Sequence, residues 1–268
     1  MKKMFGAFSA LMVMLIMASV LISGCSNSVK GNFTDEMKIP YEVDLSPDDG
    51  ADSVEREGDH KGSPYFSNLD FYNMSSTDSL TILSKFKTQQ QTTEWSCGVS
   101  AVLMVLNWYG RLGDYNEGTL AEFRKPSEYS TSLPGGIIHS ATTLRQMIEI
   151  FEGVGGFDIY STFDCEDIVD EIFTLDYIRE TLKVDHPILI GWNDWGGHWQ
   201  VIIGYDTMGT EYEGDDVIIV ADPYDTTDHN QDGYGVYGAE RFLYNFTFYN
   251  FFPDEELNDM TFLVVKPN

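Results

Sequence analysis

Four side chains of this sequence have the types and settings that nucleophilic acyl chemistry needs. Cys97 begins the stretch CGVSAVLMVLNWYG, and Gln91 stands six positions before it. His198 opens the run HWQVIIGYD, and Asp222 follows the run VIIVA. A thiolate attacks a carbonyl carbon, an imidazole moves the proton, a carboxylate holds the imidazole tautomer, and an amide donates to the oxyanion. The set predicts acyl transfer through a thioester.

The setting of Cys97 favours its reactive form. We predict a helix from this residue to about Gly110, because branched and aliphatic side chains recur at i, i+3, i+4 and i+7: Val99, Val102, Leu103 and Leu106. At a helix start, unpaired N–H groups and the macrodipole stabilise an anion, which favours the thiolate. A buried, inert cysteine is the alternative interpretation.

Gln91 is the candidate oxyanion donor. An amide just before the turn that carries the nucleophile can join the backbone N–H of Cys97 in binding the oxyanion of a tetrahedral intermediate. The alternative is a solvated glutamine, since Gln89 and Gln90 precede it in a polar run. Spacing alone favours Gln91.

A hairpin brings the candidate base and carboxylate together. The strand that His198 opens and the strand that ends before Asp222 are joined by a turn centred near residue 211 or 212. Antiparallel pairing about that centre places the two residues within one or two positions of register. Asp225, in the same DPYD turn, is the second candidate for the carboxylate that holds the imidazole. Asp194 precedes the strand and is a weaker one.

The order of the elements predicts an α+β fold, with a helical N-terminal half carrying Cys97 and a C-terminal antiparallel sheet carrying the histidine and aspartate. Leu80 to Phe86 could form a short first strand. SATTLRQMIEIFEG predicts a second helix, capped by Ser140 and ended by Gly153, and residues 164–185 predict one or two more. Four β-rich runs follow Pro187: PILIGWN, HWQVIIGYD, DVIIVADPY and RFLYNFTFY. We place this domain at residues 76–268.

Residues 1–24 have the pattern of an export signal. Two lysines precede an apolar run that ends in LISGC, which resembles the lipobox of bacterial lipoproteins. We therefore expect Cys25 to be acylated and to anchor an extracytoplasmic protein to the bacterial cell membrane. An uncleaved membrane helix is the alternative. Residues 25–75, which are polar and acidic, predict a flexible tether.

Composition restricts the partners. The formal net charge of −27 argues against nucleic acid, whose phosphates need lysine and arginine. We expect a peptide or protein substrate, no cofactor and no metal. The loop DHNQDGYG offers Asp228, Asn230 and Asp232 in the order of a calcium loop, but position twelve is Ala239 rather than glutamate. A polar turn is the favoured interpretation, and the sequence leaves open whether Cys97 pairs with Cys165.

Taken together, the CGVSAVLMVLNWYG helix with its upstream glutamine, the GHW strand and the strand ending in ADPY resemble the papain-like cysteine peptidase superfamily. The similarity is closest to the double-glycine (bacteriocin leader) peptidase-like family, and the cysteine helix also resembles that of phytochelatin synthases. This resemblance implies a papain-like fold and a thiol peptidase with Cys97 as nucleophile, His198 as base, Asp222 as orienting carboxylate and Gln91 in the oxyanion hole. The alternatives are a transpeptidase or amidase acting on wall material or peptides, and a binding domain that kept the fold.

Overall fold

The helical and strand-rich parts of the chain form an α+β fold, and the predicted fold class is confirmed. The structure is a computed structural model. It describes residues 35–40, 50–51, 63–125, 131–132, 138–139, 141–166, 169–226, 228, 230–246 and 260–268. All of them belong to one compact unit, Asn32–Asn268.

The described residues form six α-helices, most of them in the first two thirds of the chain. Their bounds are α1 Cys97–Trp108, α2 Glu117–Ala121, α3 Leu144–Val154, α4 Val169–Ile172, α5 Leu175–Lys183 and α6 Ala239–Asn245. Two helices begin with a capping box, in which the side chains of the N-cap residue and of the third helical residue bond to each other's backbone N–H. These residues are Asn116 with Thr119 for α2 and Thr143 with Gln146 for α3.

A seven-stranded antiparallel sheet forms the other layer. Its strands are β1 Leu80–Ile82, β4 Phe157–Ser161, β5 Ile188–Trp192, β6 His198–Asp206, β7 Val217–Ala221, β8 Tyr234–Gly238 and β9 Thr261–Pro267. The order across the sheet is β4-β9-β5-β6-β7-β8, and β1 pairs with the end of β6. A separate two-stranded sheet joins β2 Thr131–Ser132 and β3 Ile138–His139.

The helix α1 lies in the centre of the domain rather than on its surface. The periodicity predicts one apolar stripe, but every residue from Cys97 to Leu106 is buried. The helix packs mainly against β6 and also contacts α2 and α3. A helix that is apolar all round is stable only in such a position. The first turn is therefore held rigidly against the sheet.

Two predicted elements differ in the structure. The run RFLYNFTFY is not a strand in its described part, because α6 occupies Ala239–Asn245. Phe242 on that helix lies four residues before Phe246, the C-cap residue, and the two rings stack with centroids 5.0 Å apart, so the aromatic spacing follows the helical period. For α3, the N-cap is Thr143 rather than Ser140, and the helix continues past Gly153 to Val154, with Gly155 as the C-cap at a φ of 74°.

The predicted tether is partly a structural element of the domain. Met37 and Ile39 are buried, and the backbone around them pairs with Thr88 on both sides. Ala51 is fully buried and donates its N–H to the carbonyl of Gln91 at 3.0 Å. The apolar side chains and backbone groups of these residues find partners on the domain.

The predicted signal at residues 1–24 and the acylation site Cys25 lie outside the described residues. Over the described ranges, every helix is too short or too polar to cross a bilayer.

Candidate active site

Cys97 is the first residue of α1, with Ser96 at the N-cap. The thiol is free and 6% exposed. The next residue, Gly98, lets this turn approach the neighbouring segment closely: a Cβ there would lie 2.7 Å from Cβ of Thr142 and 2.8 Å from its Oγ1. The Cys-Gly pair thus combines a thiol at the positive end of a helix with the absence of a side chain where the packing has no room for one.

His198 and Asp222 come together as the hairpin predicts. His198 begins β6 opposite Trp192 of β5, and Asp222 directly follows Ala221, which pairs with Val201. Nε2 of His198 lies 2.6 Å from Oδ1 of Asp222. The thiol of Cys97 lies close enough to the same imidazole to act on its pKa as a hydrogen-bond partner and as a charge. Since Nε2 faces the carboxylate, Nδ1 is left for the sulfur.

The burial and charges of this group favour an ion pair. Burial alone would lower the pKa of His198, but the Asp222 carboxylate and the hydrogen bond and charge of Cys97 outweigh it and raise this pKa to about 10. Burial likewise would raise the pKa of Asp222, but the imidazolium and several hydrogen-bond donors hold it below its ordinary value. Both directions favour an imidazolium paired with the Asp222 carboxylate.

The second oxygen of Asp222 is held by a residue that the sequence analysis did not identify. Gln200 donates from Nε2 to Oδ2 of Asp222 at 2.7 Å, and its Oε1 accepts from Nε1 of Trp192 at 2.9 Å. The backbone N–H of Tyr224 donates to Oδ1 at 2.7 Å. The alternation of a strand places Gln200 on the same face as His198, so the pattern HWQ was the signal that could have identified it.

Gln91 is buried rather than solvated. Its N–H donates to the carbonyl of Pro223 at 2.8 Å, and its carbonyl accepts from Ala51. Its side chain is 2% exposed and donates from Nε2 to the carbonyl of Thr93 at 2.7 Å. An amide nitrogen carries two hydrogens, so one donor remains for a ligand. The loop between Gln91 and Cys97 is thus fixed to the segment that follows Asp222.

The other two acidic candidates serve different contacts. Asp225 accepts from the N–H of Gly233 at 2.8 Å, and burial together with neighbouring carboxylates raises its pKa well above the ordinary value. Asp194 accepts from the hydroxyl of Tyr237 at 3.2 Å. The carboxylate on the imidazole is therefore Asp222.

A buried cation near the thiol was also missed. Arg124 is 3% exposed, donates from Nη1 to Oγ1 of Thr142 at 2.9 Å, and lies over the ring of Trp95 with 5.0 Å to its centroid. Burial lowers the pKa of Arg124 to about 10, and the charge of Cys97 opposes this shift. A cation within electrostatic range of the sulfur stabilises the thiolate. A single arginine in the polar run FRKP gave no signal of this role.

Two carboxylates of the DHNQDGYG loop accept hydrogen bonds from backbone N–H groups of the same loop. Asp228 accepts from the N–H of Asn230 at 3.0 Å, and Asp232 accepts from the N–H of Tyr234 at 2.9 Å. Among the residues that the structure describes, no group of three or more histidine, cysteine, aspartate or glutamate side chains is arranged to hold a metal ion. Cys165 is a free, half-buried thiol beside the hydroxyl of Tyr160, so it does not pair with Cys97.

The arrangement contains the parts of a thiol nucleophile site. A sulfur at a helix start, an imidazole beside it and a buried carboxylate behind the imidazole can generate a nucleophile and move its proton. The first-turn N–H groups of α1 can serve as oxyanion donors, and Gln91 stays the predicted side-chain donor.

Comparison with known proteins agrees with this chemistry. The sequence model of the Peptidase_C39 like family matches residues 83–247, more than half of the chain. That range contains Gln91, Cys97, His198 and Asp222. Comparison with curated proteins found no match.

Proposed function

Because the chain belongs to the Peptidase_C39 like family, and its fold is therefore papain-like, we propose that it is a cysteine peptidase that hydrolyses peptide bonds through an acyl-enzyme. The observation that carries the proposal is an imidazole that is hydrogen-bonded to Asp222 and interacts with the thiol of Cys97. A disulfide or a displaced histidine would have favoured a binding domain that only keeps the fold. The free thiol and the hydrogen-bonded ring support a catalytic role instead.

The chemistry follows from this contact. The Cys97 thiolate attacks the carbonyl carbon of the scissile bond, and the oxyanion is bound by backbone N–H groups of the first turn of α1 and by Gln91. The imidazolium of His198 gives its proton to the leaving amine as the C–N bond breaks. A thioester remains on the sulfur. Water then attacks it, His198 takes a proton from the water, the C–S bond breaks, and the carboxylic acid and the thiolate are released.

The test uses a reduced protein and a peptide library made by digesting unrelated proteins. Wild type is expected to produce new peptide N-termini, whereas Cys97→Ala produces none because no other nucleophile replaces the sulfur. Cys165→Ala is the matched control and is expected to keep wild-type activity. Cleavage that survives Cys97→Ala, or that is lost with Cys165→Ala, contradicts the proposal.

A hydrolase and an acyl transferase differ in what resolves the thioester. Adding hydroxylamine or an amino-acid amide to the digest distinguishes them: a hydrolase gives mainly free carboxyl termini, and a transferase gives mainly the amide adduct. We expect mainly hydrolysis products. Peptide binding without hydrolysis or transfer would instead indicate a recognition domain.

We further propose that the protein is exported and anchored through Cys25, on the strength of the LISGC motif and the preceding lysines and apolar run. The predicted mature form begins at a diacylated Cys25. Its intact mass after membrane extraction should equal that of residues 25–268 plus the lipid, and Cys25→Ala should give an uncleaved or a released form. A wild-type mass that includes residues 1–24 contradicts the anchor.

A further inference from the structure

The loop that carries the candidate oxyanion donor is held by a buried carboxylate that has no part in the chemistry above. Glu117, at the start of α2, is 7% exposed. Its Oε1 accepts from the backbone N–H of Thr92 at 3.1 Å and from Oγ of Ser100 at 2.5 Å. Its Oε2 accepts from the hydroxyl of Thr92. Ser96 contributes a further hydrogen bond to the same carboxylate.

These partners lie on both sides of the candidate oxyanion site. Thr92 follows Gln91 directly, whereas Ser100 lies on α1, one turn after Cys97. The carboxylate therefore joins the segment that supplies the amide donor to the helix that supplies the sulfur and its own N–H. Two donors on separate segments act on one oxyanion only if their spacing is fixed, and a shift of about 1 Å is enough to lose much of the effect.

We propose that Glu117 is a positioning residue that sets the spacing between Gln91 and Cys97, and so the geometry of the oxyanion hole. The inference rests on the proposed function. Its structural part, that Glu117 fixes the loop at Thr92, depends only on the hydrogen bonds between these two residues.

The buried carboxylate of Glu117 needs hydrogen-bond donors in place of water. Removal from water raises the pKa of Glu117, while the hydrogen bonds from Ser100, Thr92 and Ser96 act in the opposite direction. Removing the side chain leaves the half-buried N–H of Thr92 and the buried Ser100 hydroxyl without this acceptor. A glutamine would keep one oxygen for these two donors and could give its N–H to the Thr92 hydroxyl, which can accept as well as donate.

Variants at Glu117 therefore have an ordered set of effects. Glu117→Ala should lower kcat by about 10- to 100-fold with KM nearly unchanged, as for loss of one oxyanion donor. Glu117→Gln should recover most of that loss. Glu122→Ala, an exposed carboxylate at the other end of the same helix, is the matched control and should behave as wild type. Alkylation of Cys97 by iodoacetamide should stay within about twofold of wild type in all three, since this reaction needs the thiolate and no oxyanion hole.

A double-mutant cycle separates positioning from general support of the fold. If Glu117 acts through Gln91, then Glu117→Ala should cost less than about threefold in kcat in a Gln91→Ala background, because residues that act as one unit are not additive. A full 10- to 100-fold loss there would overturn the proposal.

Amide hydrogen exchange tests the structural part without any substrate. The N–H of Thr92 should lose at least tenfold of its protection in Glu117→Ala and keep it in Glu117→Gln and Glu122→Ala. Unchanged protection in Glu117→Ala overturns the inference, whether or not the protein is an enzyme. If Glu117→Ala does not fold, Thr92→Val, which removes only the hydroxyl, should give a smaller loss in the same assays, and an unchanged kcat would then overturn it. Absence of turnover by wild type, with the exchange result as expected, would refute the proposed function and leave the loop contact established.

Discussion

The substitution Asp222→Asn is close in shape but should disturb the site strongly. Oδ1 of Asp222 faces two groups, Nε2 of His198 and the N–H of Tyr224, and Oδ2 accepts from Nε2 of Gln200. The orientation of the Gln200 amide is fixed because its oxygen accepts from Trp192. An asparagine at this position must therefore point its NH₂ either at the amide nitrogen of Gln200 or at the N–H of Tyr224. Either orientation places the NH₂ of the asparagine against another N–H donor, so neither donor of that pair has an acceptor.

The magnitude follows from the bond that is lost. A hydrogen bond to a charged group contributes about 1.5–3 kcal/mol, and 1.4 kcal/mol is a factor of ten. Removing the charge of Asp222 should lower the free energy that favours the pair of imidazolium and thiolate over the neutral pair of His198 and Cys97 by the same amount, which is a factor of about 10 to 100 in that equilibrium. Leaving one buried donor unsatisfied should also reduce the free energy of unfolding by about 1–3 kcal/mol.

The assay is the rate of Cys97 alkylation by iodoacetamide at pH 6, which reports the thiolate and needs no substrate. The matched control is Asp225→Asn, a buried carboxylate in the same turn that bonds to Gly233 rather than to His198. We expect the control to alter the rate by less than about twofold, since the substitution resembles the protonated form that its raised pKa favours.

A second substitution should partly reverse the effect. In Asp222→Asn combined with Gln200→Glu, one carboxylate oxygen at position 200 can accept from Trp192 and the other from the asparagine NH₂, so the two opposed donors are removed. We expect this double variant to be more stable than Asp222→Asn and to regain part of the lost alkylation rate. A rate for Asp222→Asn equal to wild type, in a folded protein, would refute the reasoning.

Three further predictions concern pH, packing and the oxyanion donor. The pKa of His198 rises on folding to about 10, so its contribution to stability is complete below about pH 6.5 and is lost as the pH rises toward 10. The difference in urea midpoint between wild type and His198→Ala should therefore shrink over that range. A constant difference contradicts the shift in pKa. Gly98→Ala should lower the free energy of unfolding by about 1–3 kcal/mol, because the added methyl group overlaps Thr142. This loss outweighs the roughly 1 kcal/mol by which alanine is favoured over glycine in a helix. Urea unfolding measures the change, and a variant more stable than wild type would contradict the prediction. Gln91→Ala should lower kcat by about 100-fold with alkylation of the thiol unchanged, whereas the equally buried Gln89→Ala should keep both; an active Gln91→Ala removes the oxyanion role.

The sequence alone could predict the pairing of His198 with Asp222, because a hairpin turns two linear positions into neighbours. The distance from the turn centre decides which residues meet, and the register of β6 and β7 agrees with it even though a bulge lies between Ile202 and Gly204. The first turn of α1 was predictable for a similar reason, since helix periodicity depends only on local spacing.

What the sequence could not provide depends on long-range contacts. Glu117 and Arg124 stand in polar runs with no periodic signal, and their burial depends on segments that are distant along the chain. The sequence of α6 predicts an aromatic strand, because a short run can fit both strand alternation and helical spacing. Its helical structure depends on packing against neighbouring aromatic rings. Met37 and Ile39 lie in an acidic stretch whose average composition conceals two buried side chains.

The central claim is that Cys97 forms a covalent acyl intermediate with a peptide substrate. The most direct measurement is mass spectrometry of the protein quenched in acid after brief mixing with the peptide library, followed by mapping of the modified residue. We predict peptidyl adducts on Cys97 as thioesters that hydroxylamine removes, with more adduct in a variant slowed at deacylation and none in Cys97→Ala. Release of new peptide termini without any adduct on Cys97, or adducts that map to Cys165 instead, would contradict the account.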